Sequence, residues 1–476
     1  MAKSSSNSIP SPKGTRDLYP DDLLRQRYIT EAWRRVSIRH GFEEIAGPTF
    51  EMLDLYKKKS GEGIVSELFS FTRAGGDDDY ALRPEFTPTL ARMYAAKANA
   101  LPSPCKWFTA GPYFRAEKPQ RGRLREFLQW NCDVMGGGHP TEPLNIHWDA
   151  ELMSVLLGAV TDLGLGNGAV KLHVGHRGII ERLLKNAGVS AERMTEALAL
   201  LDRRGKVDAS NFKDTASAIG LNVDDFDRFI QSWRSHLDLP KELSYADHAE
   251  LMDIQLYADY QGANDVFLDH GIDTPAWNLD LSIARGLAYY TGTVFELIAD
   301  GERAVAGGGR YDNLIELFGG PPTPAVGFGM GDVVLGLLLE DKGLMPEGPA
   351  LMDALSQKPA SLRPEAFVIA NEAGEAQVEP LLAKLRRGVE SDAWNVRDDK
   401  KPWDADRYDV PPMHARRSYK STKNIGKLLA DARKQHAKFA VIIESDEAAK
   451  VENLDTREDL GTFAHDQVGA KIAERL

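Results

Sequence analysis

Between residues 22 and 40 the apolar side chains Leu23, Leu24, Tyr28, Ile29, Ala32, Trp33 and Val36 return every three or four positions. That period predicts a helix with one buried face, and Gly41 follows as its cap. From about 105 to 136 the period shortens to two around a Pro/Gly turn at 119–122, which predicts two strands. Residues 145–163 read as a long helix. From about 170 to 262 the chain turns helical and highly charged (IIERLLKNAG, ERMTEALALLDRRGK), as a helical insertion between two parts of a sheet domain would. Glycines then crowd 286–331 among short β-like runs such as TVFELI, and VVLGLLLED predicts a helix ending near 341.

The stretch 342–364 carries four prolines and reads as a linker. Beyond it AFVIA, a helix over EAQVEPLLAKLRRGVES, a further helix and FAVII alternate as in a small α/β domain. The chain thus divides into 1–341, a linker at 342–364, and 365–476. Within the last part, the Trp/Pro/Asp-rich segment 392–414 reads as a surface insertion.

A length of 476 residues exceeds what one core usually organises, in keeping with that division. With 42% apolar and 27% charged residues the balance is that of a soluble globular protein. No run is long enough to span a bilayer and the Ser-rich start has no apolar h-region, so no membrane is expected and a cytoplasmic location is. The two cysteines, Cys105 and Cys132, stand outside any CxxC or Cys/His cluster; buried free thiols are expected, and no metal site built from protein side chains. A net charge of −13 argues against a general polyanion binder, but a local basic patch can still choose a partner.

Three segments carry candidate chemistry. In FRAEKPQRGRLREFLQWNCDVMG (114–136), alternation puts Leu124, Leu128, Trp130, Cys132 and Val134 on one face, and Arg123, Arg125, Phe127, Gln129 and Asp133 on the other. Before the turn, Arg115 and Glu117 share a face. Arginine forks suit phosphate oxygens and carboxylates suit an amine or ring N–H, although a solvated hairpin has the same pattern. In LRPEFTPT, Arg83, Glu85 and Thr87 alternate in the same way. In ARGLAYYTGTVFE (284–296) and GGGRYDNL (307–314), glycines permit close backbone approach and paired tyrosines can wall a pocket. The glycine triplet has neither the dinucleotide nor the P-loop context.

KGTRDLYP, LRPEFTPTLARMYAA, FRAEKPQRGRLREF, RGLAYYTGTVFE and GGGRYDNL occur in the order found in histidyl-tRNA synthetases, and the chain resembles that family over nearly its whole length. The resemblance implies an α+β fold: a class II synthetase antiparallel sheet flanked by helices, with a helical insertion and a C-terminal α/β anticodon-binding domain. It implies a histidine–tRNA ligase using L-histidine, ATP with Mg²⁺, and tRNA(His), and a homodimer through the motif 1 region at 22–48.

By matching motifs, Arg115 would grip the ATP α-phosphate, Glu117 would contact adenine, and Arg123 would be a further nucleotide arginine. Glu85, Thr87, Gln129 and Asp133 would hold the histidine amino group and neighbouring atoms. Tyr289, Tyr290 and Tyr311 would line the histidine pocket, with Gly307 to Gly309 shaping its wall. Arg285 would be the catalytic arginine on the α-phosphate. Two departures stand out. Val333 and Val334 occupy the place of the family's motif 3 Glu-Arg, at a cost of roughly 1.5–3 kcal/mol for a lost charged phosphate contact. Ala288 stands where an Asp is usual.

The alternative the sequence leaves is a synthetase-like regulatory subunit of ATP phosphoribosyltransferase, which senses histidine without charging tRNA. The intact form of the family's motif 2, FRAE with PQRGR within 114–136, and the presence of 365–476 weigh against it. So does the segment 415–438, whose eight Lys/Arg against one Asp suit a tRNA contact as well as a solvated helix.

Overall fold

The structure is a computed structural model that describes residues 9–476 apart from 138–145, 167, 205–206, 229, 231–270, 272–276, 281–282, 284–288, 300–303, 357–363, 402–403 and 405. Arg285, Ala288 and much of the expected insertion lie outside the described residues. The expected first helix runs Pro20–Arg39, with Pro20 in its first turn, where a missing N–H costs nothing, and Gly41 at φ +76° beyond its end. The expected long helix is Ile146–Asp162.

An eight-stranded sheet forms the N-terminal unit. Its order is Glu43–Glu44, Cys105–Phe114, Glu126–Met135, Ala325–Gly331, Ala304–Arg310, Thr293–Ala299, Val170–His176 and Trp277–Leu279. The six central strands pair antiparallel, and each edge strand pairs parallel, so the sheet is mixed. The helices Pro20–Arg39, Ile146–Asp162 and Asp332–Asp341 cover one face. There Trp33 stacks on Trp130 at 5.8 Å between ring centroids, and the Trp130 indole N–H donates to Ser37 Oγ at 3.0 Å. Cys105 and Cys132 are buried free thiols.

Three segments differ from their sequence reading. Residues 170–176, assigned to the insertion, are a sheet strand; its alternation (Leu172 and Val174 buried) is short and sits directly before a strongly amphipathic helix, Arg177–Asn186. The proline-rich stretch after 341 contains the helix Gly348–Ser356, whose Leu351 joins the main core with Met345. Of the four prolines, Pro346 precedes the helix, Pro349 falls in its first turn and the other two follow residue 356 in sequence, so none interrupts it.

Segment 392–414 is not a loose insertion. Trp394 is buried, its indole donates to Asp404 at 2.9 Å, and Arg407 lies 5.2 Å from the Trp394 ring while donating to Thr161 O at 3.2 Å. Arg407 thereby adds donors to the carbonyls of Thr161 and Asp162 at the end of the 146–162 helix.

The C-terminal unit is a five-stranded sheet ordered Ala415–Arg417, Ala366–Ala370, Phe439–Ile443, Ala448–Asn453 and Asp459–Ala464, with the helices Val378–Arg387 and Ile425–Lys434. A buried charge cluster joins it to the N-terminal unit: Glu151 meets Lys106 at 2.8 Å, Arg386 at 3.1 Å and His40 at 3.3 Å. Burial, then the Arg386 charge, pull His40 down to about 3, so its ring is neutral and the cations facing Glu151 are Lys106 and Arg386.

Candidate active site

The sheet face opposite the Trp33–Trp130 core carries the polar residues. Asp133 pairs in register with Gly327, Asn131 with Gly329 and Gln129 with Gly331. A Cβ on Gly327 would fall on Asp133 Oδ1, and one on Gly329 would lie 2.9 Å from Gln129 Nε2. These glycines let the polar side chains lie flat across the sheet. One strand further, a Cβ on Gly309 would meet Thr293 O at 2.7 Å and the Tyr290 ring at 3.0 Å. The glycine crowding is therefore the floor of a site.

Tyr311 is buried, and its hydroxyl donates to Asp133 Oδ1 at 2.5 Å. The other oxygen, Oδ2, is buried and meets no donor among the described residues. Burial pushes Asp133 up to about 7, while the Tyr311 hydrogen bond pulls the other way. Tyr289 lies 4.3 Å from Tyr290 and 6.3 Å from Tyr311, between centroids. The Tyr289 hydroxyl is held well above its ordinary value by burial, with Tyr290 and Glu85 adding to it. Thr87 is buried at the start of the helix Thr87–Ala95.

Arg83, grouped with Glu85 and Thr87 by alternation, is structural. Its Nε donates to Pro112 O at 2.8 Å and its Nη1 to Gly47 O at 3.1 Å.

Further along the same strands lies a cavity of about 150 Å³, lined among others by Arg115, Arg123, Gln129, Gly329, Val333 and Val334. The Arg115 guanidinium lies 5.1 Å from the Phe127 ring, and its Nε donates to Pro84 O at 3.2 Å, next to Glu85. Gln129 belongs to this cavity and shares a strand face with Asp133. Glu117 is ion-paired with Arg123. Leu124, assigned to the core by alternation, lines this cavity instead, because the strand begins only at Glu126.

Val334 reaches toward the motif 2 turn, within 3.2 Å of where a Gly122 Cβ would be. The preceding Asp332 turns away, accepting from Leu128 N at 2.9 Å and Gln26 at 2.9 Å and pairing with Arg16.

Sequence reasoning missed the residues that hold the GGGRYD turn in place. Arg310 pairs with the fully buried Asp149 at 2.6 Å, and Thr293 donates to the same carboxylate at 2.7 Å. Asp312 accepts from Thr291 Oγ1 at 2.8 Å and from Ala325 N at 3.0 Å, joining the two glycine-rich motifs. Lys59 was also missed: its Nζ lies 2.5 Å from Glu85 Oε2 and 4.0 Å from the Tyr289 ring centroid. In sequence it is the third of three adjacent lysines and looks like a solvated helix end.

An antiparallel-centred sheet backed by helices, with a motif 2 hairpin and a glycine-floored site on its open face, is the architecture of a class II aminoacyl-tRNA synthetase. The family described as histidyl-tRNA synthetase matches residues 14–331. The histidine–tRNA ligase of Haloarcula marismortui is 38% identical over 371 residues, covering 77% of this chain and 82% of that protein. That of Opitutus terrae is 39% identical over 342 residues, covering 71% and 76%. The chain belongs to the histidyl-tRNA synthetase family.

The crystal structure of histidyl-tRNA synthetase from Nostoc sp. PCC 7120 superposes with a TM-score of 0.58 at 21% identity, covering 99% of this chain and 100% of that one, which shows the shared fold.

Proposed function

We propose that the protein activates L-histidine with ATP, forming histidyl-adenylate and pyrophosphate, and then transfers histidine to the 3′ end of tRNA(His). The observation that carries this reading is the buried carboxylate of Asp133 among Tyr289, Tyr290 and Tyr311, with one oxygen that meets no donor among the described residues. A buried carboxylate of this kind is stabilised by a ligand N–H or cation, and histidine brings both.

In this reading Glu85 and Thr87 receive the amino group, Asp133 and Gln129 hold neighbouring atoms, and Tyr289, Tyr290 and Tyr311 enclose the side chain. The histidine carboxylate oxygen attacks the α-phosphorus in line, the new O–P bond forms, and the bond to pyrophosphate breaks with its electron pair. No protein nucleophile is needed; positioning and cations at the developing charge suffice. Arg115, at the nucleotide cavity, supplies one cation. Arg285 is assigned the second on its motif alone.

Mg²⁺ accompanies ATP and would neutralise phosphate charge. Glu117 is engaged by Arg123, so the phosphates' own oxygens are the donors that would hold the ion. With Val334 in place of the motif 3 arginine, the phosphate tail relies on Arg115, Arg123 and the metal.

The C-terminal unit is assigned to the anticodon. Arg416 and Arg417 are spent inside the protein, on Gly41 O and on Glu375 and Glu379, whereas Lys427 and Lys434 on the 425–434 helix are exposed. Among the described residues no helix is long and apolar enough to cross a membrane. A homodimer through the motif 1 helix and a cytoplasmic location complete the proposal.

Charging of purified tRNA with radiolabelled amino acids tests it. Incorporation of histidine alone is expected; histidine binding with no charging would favour a regulatory subunit.

A further inference from the structure

Of the three lysines 57–59 at the end of the helix Leu53–Ser60, two face outward: Lys57 pairs with the exposed Glu62, and Lys58 lies over Phe318. Lys59 turns inward, its side chain only 6% exposed. Its ammonium is charge-paired with Glu85 at 2.5 Å and sits 4.0 Å from the face of Tyr289. A primary ammonium against a carboxylate and an aromatic face is the same set of contacts that the α-ammonium of an amino acid would make there.

The pocket thus already holds a cation on the carboxylate assigned to the substrate's amino group. A second ammonium cannot share that place without like-charge repulsion, so one must leave. The segment carrying Lys59 is suited to leaving. Gly61 follows at φ +74° with open space where a Cβ would stand, and the next turn, Glu62–Glu67, contains no fully buried residue.

We propose that Lys59 is a resident ammonium that occupies the amino-group subsite in the free protein and is displaced by histidine. It is then a specificity-determining residue. By keeping Glu85 neutralised it makes the empty pocket stable, and it sets a displacement cost that ligands carrying their own ammonium must meet and des-amino ligands do not. The inference rests on the histidine-activating reading above.

Calorimetric affinities of L-histidine and of its des-amino analogue 3-(imidazol-4-yl)propionate, for the parent and for Lys59→Met, test it. Histidine must displace Lys59 and the analogue need not. Lys59→Met is therefore expected to tighten histidine about tenfold and leave the analogue unchanged, while Lys59→Arg keeps the ratio near the parent's. An unchanged ratio, or equal weakening of both ligands, overturns the role of Lys59 and leaves the function standing. No histidine binding by the parent overturns the function and this inference with it.

Amine-labelling of the parent, read at Lys59 by mass spectrometry, gives an answer without any variant. Labelling is expected to rise with histidine and not with the analogue; no rise with histidine overturns the proposal.

Discussion

Tyr311 donates to one oxygen of Asp133, and the other oxygen of that buried carboxylate meets no donor among the described residues. The pair is half of a hydrogen-bonding arrangement whose second half a ligand would supply. Because burial lifts Asp133 to about 7 and the Tyr311 bond opposes that lift, the protonation state of the pocket turns near neutrality.

Histidine affinity should therefore strengthen as pH rises through about 7 in the parent, and lose that component in Asp133→Asn. The imidazole of free histidine titrates near pH 6.5, so the comparison with the variant isolates the protein's share. Tyr311→Phe removes a bond that lowers the Asp133 value, and the transition should move to higher pH. Parallel pH curves for parent and Asp133→Asn in isothermal titration would contradict the assignment.

Stability carries the same signature with a defined sign. The folded value of Asp133 lies above its ordinary 3.8, so its contribution is fully present below about pH 4 and is lost as pH rises through about 7. Urea midpoints of the parent should fall from pH 4 to 8 relative to those of Asp133→Asn. Equal slopes would be the contrary result.

Arg310→Met should cost about 3–5 kcal/mol, because it leaves Asp149 buried without its cation. The double variant Arg310→Met/Asp149→Leu should recover much of that loss. Denaturant unfolding checks this, and a single-variant cost under about 1 kcal/mol would mean that the pair holds nothing.

How legible this was in the sequence depended on whether the determining contacts were local. The motif 2 hairpin, the first helix and the α/β character of 365–476 follow from short-range period and turn chemistry. The strand at 170–176 did not, because seven residues before an amphipathic helix carry little pattern of their own.

In the site, Asp133, Tyr311 and Gln129 stood in recognisable motifs. Asp149 and Lys59 did not: their partners lie 161 and 26 positions away, and a lone Asp in a helix or a third lysine in a row looks solvated until the fold brings that partner in. Trp394 and Arg407 were read as insertion for the same reason.

Val334→Glu would place a negative charge in the cavity shared with Arg115 and Arg123. The KM for ATP is expected to rise at least about tenfold with that for histidine nearly unchanged. Equal rises in both would separate Val334 from the nucleotide.

Lys427→Glu with Lys434→Glu alters exposed cations on the C-terminal unit alone. The KM for tRNA should rise and the salt dependence of tRNA binding should become shallower, while adenylate formation is untouched. Unchanged charging would remove this helix from the tRNA surface.

Histidine-dependent exchange of labelled pyrophosphate into ATP, with Mg²⁺ and without tRNA, tests the central claim most directly. Exchange that requires L-histidine, occurs with no other standard amino acid and falls steeply in Arg115→Ala is the predicted result. Absence of exchange at saturating ATP, Mg²⁺ and histidine, in protein that still binds histidine, would contradict it.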